Sequence, residues 1–503
     1  MKELTSSQQV KYGAALSYLG IAIYIVIGLL YTPWMIKMIG KDDYGLYTLA
    51  YSIISLFVFD FGFSSAIQRF VAKYLAEGNQ VKVNNCVSLV SKLYIYIDIV
   101  VLAILSVVFF LIPTIYAELT LVQLNRFKVV YLIAGLFSVI SFPFIPLNGI
   151  LSAHEKFVQL KICDLVSKVL TVIINIVCLS LGGGLYELVG TNVAVGTLII
   201  LAKIYIVCNE TQVRINFGYS DELEMRQLLS FSGWTTVVAF CQRTIFNIAP
   251  SILGMFAGAG VIAVFGIAVS LEAYTFTFAN ALNGLFLPRI SRILKDNGDI
   301  LPLMIRVGRL QVFTMGLVLI GFIIVGQDFI YCWLGEGFED AYTCTLLFII
   351  PAFLLLPADI ADQTLIARGE VKRRAQVYII MSVINVFLSF FMAKHWGCIG
   401  LALSIFIAYM VRNLALYYVY SRVLKLDTST FFRETFGRMS MGLLSSLFLS
   451  LCLCRLLNIG GWLNVIVKVV IVVISYVLCM SALAMNGEEK QLFKGIVCRL
   501  CRK

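Results

Sequence analysis

The sequence predicts an all-α integral membrane protein of about 14 transmembrane helices, in two six-helix lobes around a central cavity with two further helices at the C-terminus. Three observations predict it. Apolar residues make up 60% of the 503 and charged ones 13%, with a mean hydropathy of +0.93, which leaves little chain for a soluble domain. Apolar stretches of about 20 residues recur from end to end, each long enough to cross the hydrocarbon as a helix. The short connections between them alternate between basic and nearly uncharged, the asymmetry that orients helices in a membrane.

In chain order, a polar tail to Lys11 leads into residues 12–36, too long and too lacking in a small-residue cleavage site to be a removable signal peptide, so it is expected to remain as the first helix. Further spans are expected near 44–66, 87–111, 127–150, 159–181, 187–207, 230–253, 260–287, 303–326, 342–365, 377–394, 398–420, 439–457 and 461–484. One set of connections carries Arg69, Lys73 and Lys82; Lys156 and Lys161; Arg214 and Arg226; Arg289, Arg292 and Lys295; Arg368, Lys372, Arg373 and Arg374; Arg422, Lys425 and Arg433; and the tail Lys490, Lys494, Arg499, Arg502 and Lys503. These are assigned to the cytoplasm, with both termini. The opposite set, at 182–187, 254–260, 327–341 and 458–462, contains no Lys or Arg, although Lys37, Lys41, Arg126 and Lys128 depart from the rule. The net charge of +11 is therefore a statement about topology rather than a nucleic-acid surface.

An approximate repeat supports the lobes. Pro33, Gly40, Tyr44, Gly45 and Arg69 are echoed, with small shifts, by Pro250, Gly258, Phe265, Gly266 and Arg289. The expected divisions are 1–215 and 216–425 for the lobes and 426–503 for the added helices, with the substrate site between the lobes.

Arg243 stands near the middle of the apolar span 231–253. A cation at the bilayer centre costs at least ~2.5 kcal/mol, so it faces a partner or a water-filled cavity. Gln242 adjoins it, Asn247 lies one turn further on the same face, and Pro250 can break the helix. Either a carboxylate satisfies Arg243 inside a packed bundle or Arg243 binds an anion in a transport cavity; the second is the expectation. Lys168 is the next candidate, unless Asp164, four residues before it, pairs with it. Arg306 and Arg309 are expected to snorkel at a cytoplasmic helix end. Among the intramembrane carboxylates, Glu272 and Asp98 are the expected ion-coupling groups. Asp60 is a third candidate that could instead organise its helix end beside Arg69, and Asp359 and Asp362 are expected to be partly hydrated.

The segment LLYTPWMIKMIGKDDYGLYTLAY, ending at Tyr51, and DFGFSSAIQRFVA, from Asp60 to Ala72, resemble the opening two helices of the polysaccharide transporter family. The shared pattern is an apolar helix with Pro, a Gly then Tyr-Gly loop, and Asp-x-Gly followed by Ala and Arg. The resemblance is to Wzx-type O-antigen or capsule flippases. It implies the multidrug/oligosaccharidyl-lipid/polysaccharide (MOP) exporter fold and export of an undecaprenyl-pyrophosphate-linked oligosaccharide across a bacterial cytoplasmic (inner) membrane. It also implies glycosyltransferases and a polysaccharide polymerase as pathway partners. A pyrophosphate head group suits a forked guanidinium, which again favours Arg243, with Lys168, Gln242 and Asn247 as supporting groups.

No cofactor or metal is expected. Gly182 to Gly184 lacks the Lys-Ser or Lys-Thr of a phosphate loop, and Cys498 and Cys501 have no second ligand pair. A proton or sodium gradient is the expected drive, with membrane lipids and the lipid-linked glycan as partners and no nucleic acid. A drug or cation antiporter of the same fold would favour cavity carboxylates over an arginine. A membrane glycosyltransferase or polymerase would need a larger outer loop than 327–341. Reporter fusions at Gly78 and Lys372 are expected to report cytoplasm, and those at Gly183 and Gly258 the opposite side; Gly78 and Gly183 reporting one side would break the helix count.

Overall fold

The computed structural model describes residues 6–283, 290, 293, 298–457, 460–487 and 489–491. The chain runs through α1 (Ser6–Ile39), α2 (Lys41–Phe57), α3 (Phe63–Ala76), α4 (Gln80–Ile115), α5 (Leu121–Ser141), α6 (Leu147–Ala153), α7 (Phe157–Ser180) and α8 (Leu185–Glu210). A linker leads to α9 (Glu222–Asn247), α10 (Ala249–Phe256) and α11 (Ala259–Asn283). Then come α12 (Leu301–Leu334), α13 (Asp340–Leu355), α14 (Asp359–Ala367), α15 (Val371–Val423), α16 (Thr428–Phe432), α17 (Arg438–Arg455) and α18 (Gly461–Leu483). Arg289, Arg292, Lys295, Lys494, Arg499, Arg502, Lys503, Cys498 and Cys501 lie outside the described residues.

Among the described residues, twelve segments are long and apolar enough to cross a membrane. The difference from about 14 has two sources. Residues 44–66 are not one span, because α2 stops at Phe57 and Gly62, at φ 79°, turns the chain into α3. Residues 377–394 and 398–420 are counted together as α15, but non-helical geometry at Gly397 (φ 55°, ψ −132°) divides it into two helices at the expected boundary. Prolines account for other breaks. Pro143 and Pro146 set a 3-10 turn before α6, Pro250 opens α10, and Pro357 sets the turn between α13 and α14.

The chain packs as two compact units, Met1–Gly266 with Tyr378–Leu401, and Ile267–Val377 with Ala402–Lys503. In the first, Phe63, Ile67 and Val71 of α3 pack with Val87 and Tyr94 of α4, Phe142 and Leu151. In the second, Val312 and Ile320 of α12 pack with Val472, Tyr476 and Met480 of α18, and the Tyr476 hydroxyl donates to the Phe313 carbonyl at 2.7 Å.

On the weakly charged side, Arg126 donates to both oxygens of Asp43 at 2.9 Å and Gln123 to Asp42 at 3.1 Å. The exceptional Arg126 is thus neutralised by the neighbouring α2 terminus. On the basic side, the linker after α8 lies along α4. Gln80 donates to the Gln212 carbonyl at 3.2 Å, the Arg214 amide donates to Asn84 at 3.0 Å, and the Asn216 amide to Ser88 at 2.8 Å. Lys92 closes the series on the Tyr219 carbonyl. Beyond it, Glu224 of α9 accepts from Tyr74 and Tyr219, and burial pushes its carboxyl above the usual range.

The Tyr-Gly motif has a steric cause. A Cβ on Gly45 would lie 1.9 Å from the Ala259 carbonyl oxygen, and one on Gly266 would lie 2.9 Å from Thr48. Gly45 therefore sits where the backbones of α2 and α11 touch, and Gly266 where α11 meets the Thr48 side chain of α2. Gly45→Ala is expected to cost about 1–3 kcal/mol through overpacking, whereas Gly20→Ala, at a position with open space, is tolerated. Heat challenge followed by fluorescence-detected size exclusion checks this; equal midpoints for the two variants would refute the close approach.

Candidate functional site

The break between α2 and α3 gathers the residues that the sequence marks for function. The last carbonyls of α2 have no amide partner within the helix and cannot turn to water inside a bilayer. Arg243, carried by α9, donates from Nη1 to the Ser55 carbonyl at 3.0 Å, and its guanidinium lies 5.2 Å from the centre of the Phe59 ring. The rest of its fork makes no hydrogen bond with the described residues. Among the described residues no ion pair joins Arg243 to a carboxylate, yet Asp60 is the acid whose field reaches it.

Asp60 is itself fastened. Its Oδ1 accepts from the Tyr94 hydroxyl at 2.8 Å and from the Ser64 amide at 3.2 Å, which caps the start of α3. Gly62 supplies the left-handed residue of this turn, where a Cβ would stand 2.9 Å from Thr235 Oγ1, and Thr236 donates to the Phe61 carbonyl. The Asp-x-Gly motif is thus a helix break docked onto α9, seven to eight residues before Arg243. Gln242 beside it is exposed and Asn247 is half-buried.

Lys168 on α7 is exposed, with Nζ 4.7 Å from the Tyr24 ring centre. The alternative that Asp164 pairs with it is not what the structure has. Asp164 takes Lys203 at 3.1 Å and Lys161 at 3.8 Å instead, because Lys203 of α8 faces it while also donating to Asn148.

The other charges divide sharply. Glu272 on α11 is 8% exposed, and the cation whose field reaches it is Arg412. Arg412, 6% exposed, lies over the Tyr409 ring at 4.1 Å and donates to Asn413 at 3.1 Å. Asp98 of α4 is half-buried, with Oδ1 lacking a hydrogen-bond partner. Asp362 corrects the expectation of hydration: at 8% exposure it accepts two bonds from Arg374 at 2.9 and 3.0 Å. Its neighbour Asp359 is half-buried with Oδ2 unpartnered.

Arg309 corrects the expectation of snorkelling. It is 3% exposed and grips Glu489 at 2.6 and 2.9 Å and the carbonyls of Glu434 and Ala484 at 2.8 and 2.7 Å. Burial pushes the Glu489 carboxyl up, but the Arg309 bonds and the Asn486 amide outweigh it and hold the group below its usual value. Arg306, by contrast, is exposed.

Two groups escaped the sequence reading. Arg412 lies near the end of a long apolar run and was hidden by its nearness to Arg422. The second is a polar cluster inside the first unit: Asn192 donates to Tyr47 at 3.2 Å and Tyr51 at 3.4 Å, Asn175 to Asn192 at 3.5 Å, and the Tyr31 hydroxyl faces Asn175. Tyr44, Tyr47 and Tyr51 recur at near-helical spacing, and that was the available signal.

Comparison with known proteins gives a matching family model, described as polysaccharide biosynthesis protein, over residues 12–294. No curated protein sequence matches the chain. Solved structures do. The lipid II flippase MurJ, in an inward closed conformation, has a TM-score of 0.70 at 14% identity, covering 95% of this chain and 98% of that one. An inward-facing multidrug resistance MATE family transporter of the MOP superfamily gives 0.64 at 12% identity, covering 84% and 100%. A MOP superfamily transporter from Pyrococcus furiosus gives 0.55 at 11% identity, covering 85% and 96%. At these identities the likeness shows the fold, which is that of the MOP superfamily transporters.

Proposed function

The chain belongs to the polysaccharide biosynthesis protein family, and on that premise we propose that it flips an undecaprenyl-pyrophosphate-linked oligosaccharide from the inner to the outer leaflet of the bacterial cytoplasmic membrane. Transport is by alternating access of lobes at 1–215 and 216–425, with 426–503 as added helices and both termini in the cytoplasm. The cargo is an O-antigen or capsule precursor, supplied by glycosyltransferases and consumed by a polymerase. The protein is a transporter rather than an enzyme.

The observation that carries this reading is Arg243: an intramembrane guanidinium held at one nitrogen by the Ser55 carbonyl, with the remainder of its fork open. A planar fork fixed at one corner suits the oxygens of a pyrophosphate. Gln242 and Asn247 extend the donor set, and Lys168 is a second cation for the head group. The likeness to a lipid II flippase supports a lipid-linked cargo. Likeness to a multidrug transporter keeps a cationic-drug antiporter as the second reading, but an open guanidinium repels such a cargo.

Coupling to a proton or sodium gradient is assigned first to Glu272, with Asp98 and Asp60 behind it. Glu272 is buried and opposed by Arg412, so taking up a proton there changes the balance of a buried charge pair. Asp60 is the carboxylate that competes with an anion for Arg243.

Arg243→Ala is expected to lower surface glycan about 10- to 100-fold at normal protein abundance, the loss of a charge-assisted contact, and Arg243→Lys to restore part of it. Full export by the Ala variant would remove Arg243 from the site, and loss of the protein would assign it to holding the end of α2. In liposomes, an imposed gradient is expected to speed flipping of labelled lipid-linked glycan in the wild type and not in Glu272→Gln. Undiminished stimulation in that variant would sink the assignment, and a wild type indifferent to proton and sodium gradients would leave cargo consumption as the drive.

A further inference from the structure

The second unit carries a cavity of about 330 Å³ where α12 ends and α13 begins, walled by Gln327, Asp328, Tyr331, Gly335, Glu339 and Tyr342. Its size is at the lower end of small-molecule sites. It lies in the stretch 327–341, which has no Lys or Arg and is placed on the outer side under the proposed topology.

The walls are held in advance. Tyr342 stacks on Phe322 with ring centres 5.6 Å apart and donates to the Ile323 carbonyl at 2.9 Å, while a Cβ on Gly326 would sit 3.0 Å from its ring. Asp328 is fixed through one oxygen, Oδ2, by Lys468 at 2.5 Å and Asn464 at 3.2 Å. Its Oδ1 accepts nothing from the described residues, and Asn464 behind it, 9% exposed, has an amide oxygen without a partner. Gly335 and Gly337, at φ 83° and 86°, shape the turn, and the Gly337 amide donates to Glu339 at 2.8 Å. Tyr331 stands 56% exposed at the rim.

We propose that this cavity binds a neutral sugar unit of the glycan on the outer face. An aromatic rim, the Gln327 side-chain amide and the Asp328 Oδ1 with its vacant acceptor positions match a ring that offers C–H faces and hydroxyl donors. The absence of Lys and Arg from the wall turns away the phosphates, so the cavity and Arg243 divide the cargo by chemistry: the sugar here, the head group there. The inference rests on the flippase reading, since it is that reading which brings a glycan to this side.

The test is saturation-transfer NMR on the full chain in lipid nanodiscs, with methyl glycosides of glucose, galactose and N-acetylglucosamine as probes. At least one glycoside is expected to receive saturation from the wild type. Tyr331→Ala and Gln327→Ala, both at exposed positions, should weaken binding at least about fivefold with unchanged melting midpoints, and inorganic pyrophosphate should not compete. Silence from every glycoside, or transfer unaltered in both variants, overturns the proposal. So does transfer that calcium abolishes and Tyr331→Ala leaves intact, which would make this a cation site. Because no flipping is measured, the two readings fail separately: a protein that flips lipid-linked glycan but binds no glycoside loses only the cavity, and one that binds glycoside without flipping loses only the transport.

Discussion

A backbone carbonyl inside a bilayer has no water to turn to, and at two places where this chain breaks a membrane helix side chains are committed to that debt. Arg243 answers Ser55 at the end of α2, and Asp60 answers Ser64 at the start of α3. Across the proline-broken helix of the second unit, Asn413 donates to Pro351 at 2.9 Å and Tyr417 to Leu354 at 2.7 Å. Asn413 and Tyr417 are four residues apart on α15, so a single helical face clamps the break. The residues most suggestive of transport chemistry are thus also the ones that keep irregular backbone stable in hydrocarbon.

This double duty explains how the charges are distributed. Arg309, whose donors are spent on Glu489 and two backbone carbonyls, locks helices together and has little left to offer a ligand. Arg243 is fastened at one nitrogen only. A guanidinium so held keeps its orientation, which would reduce the ordering cost of the anion binding proposed for it.

The class of the fold was legible because bilayer thickness imposes a length and orientation imposes a charge pattern, and both are written in composition. Helix boundaries were legible where proline or glycine breaks them, as at Pro250. The break at Gly397 was legible too, between the spans expected at 377–394 and 398–420, whereas the break within residues 44–66 was lost because apolar content hides a turn made by Gly62. Arg243 could be found from its surroundings alone. Its partners could not, since Ser55 contributes a carbonyl that every residue has. The pairing of Asp164 with Lys203, and of Arg309 with Glu489, spans stretches of chain that no local pattern connects.

The linker laid along α4 has a metric consequence. Its anchors on the helix, at 80, 84, 88 and 92, advance four residues at a time, about 6 Å. The backbone groups they hold advance two residues at a time from 212 through 214 to 216, which in extended chain is about 6.6 Å, and three residues to the last at 219. Over the first three anchors, helix and extended linker therefore act as two scales with nearly equal divisions, read against each other. A single inserted residue would move an amide to where a carbonyl is required, and would shift every later mark. The passage from α8 to α9, which a flexible tether could have made at any length, is instead cut to measure, and the starting point of the helix that bears Arg243 is fixed by counting.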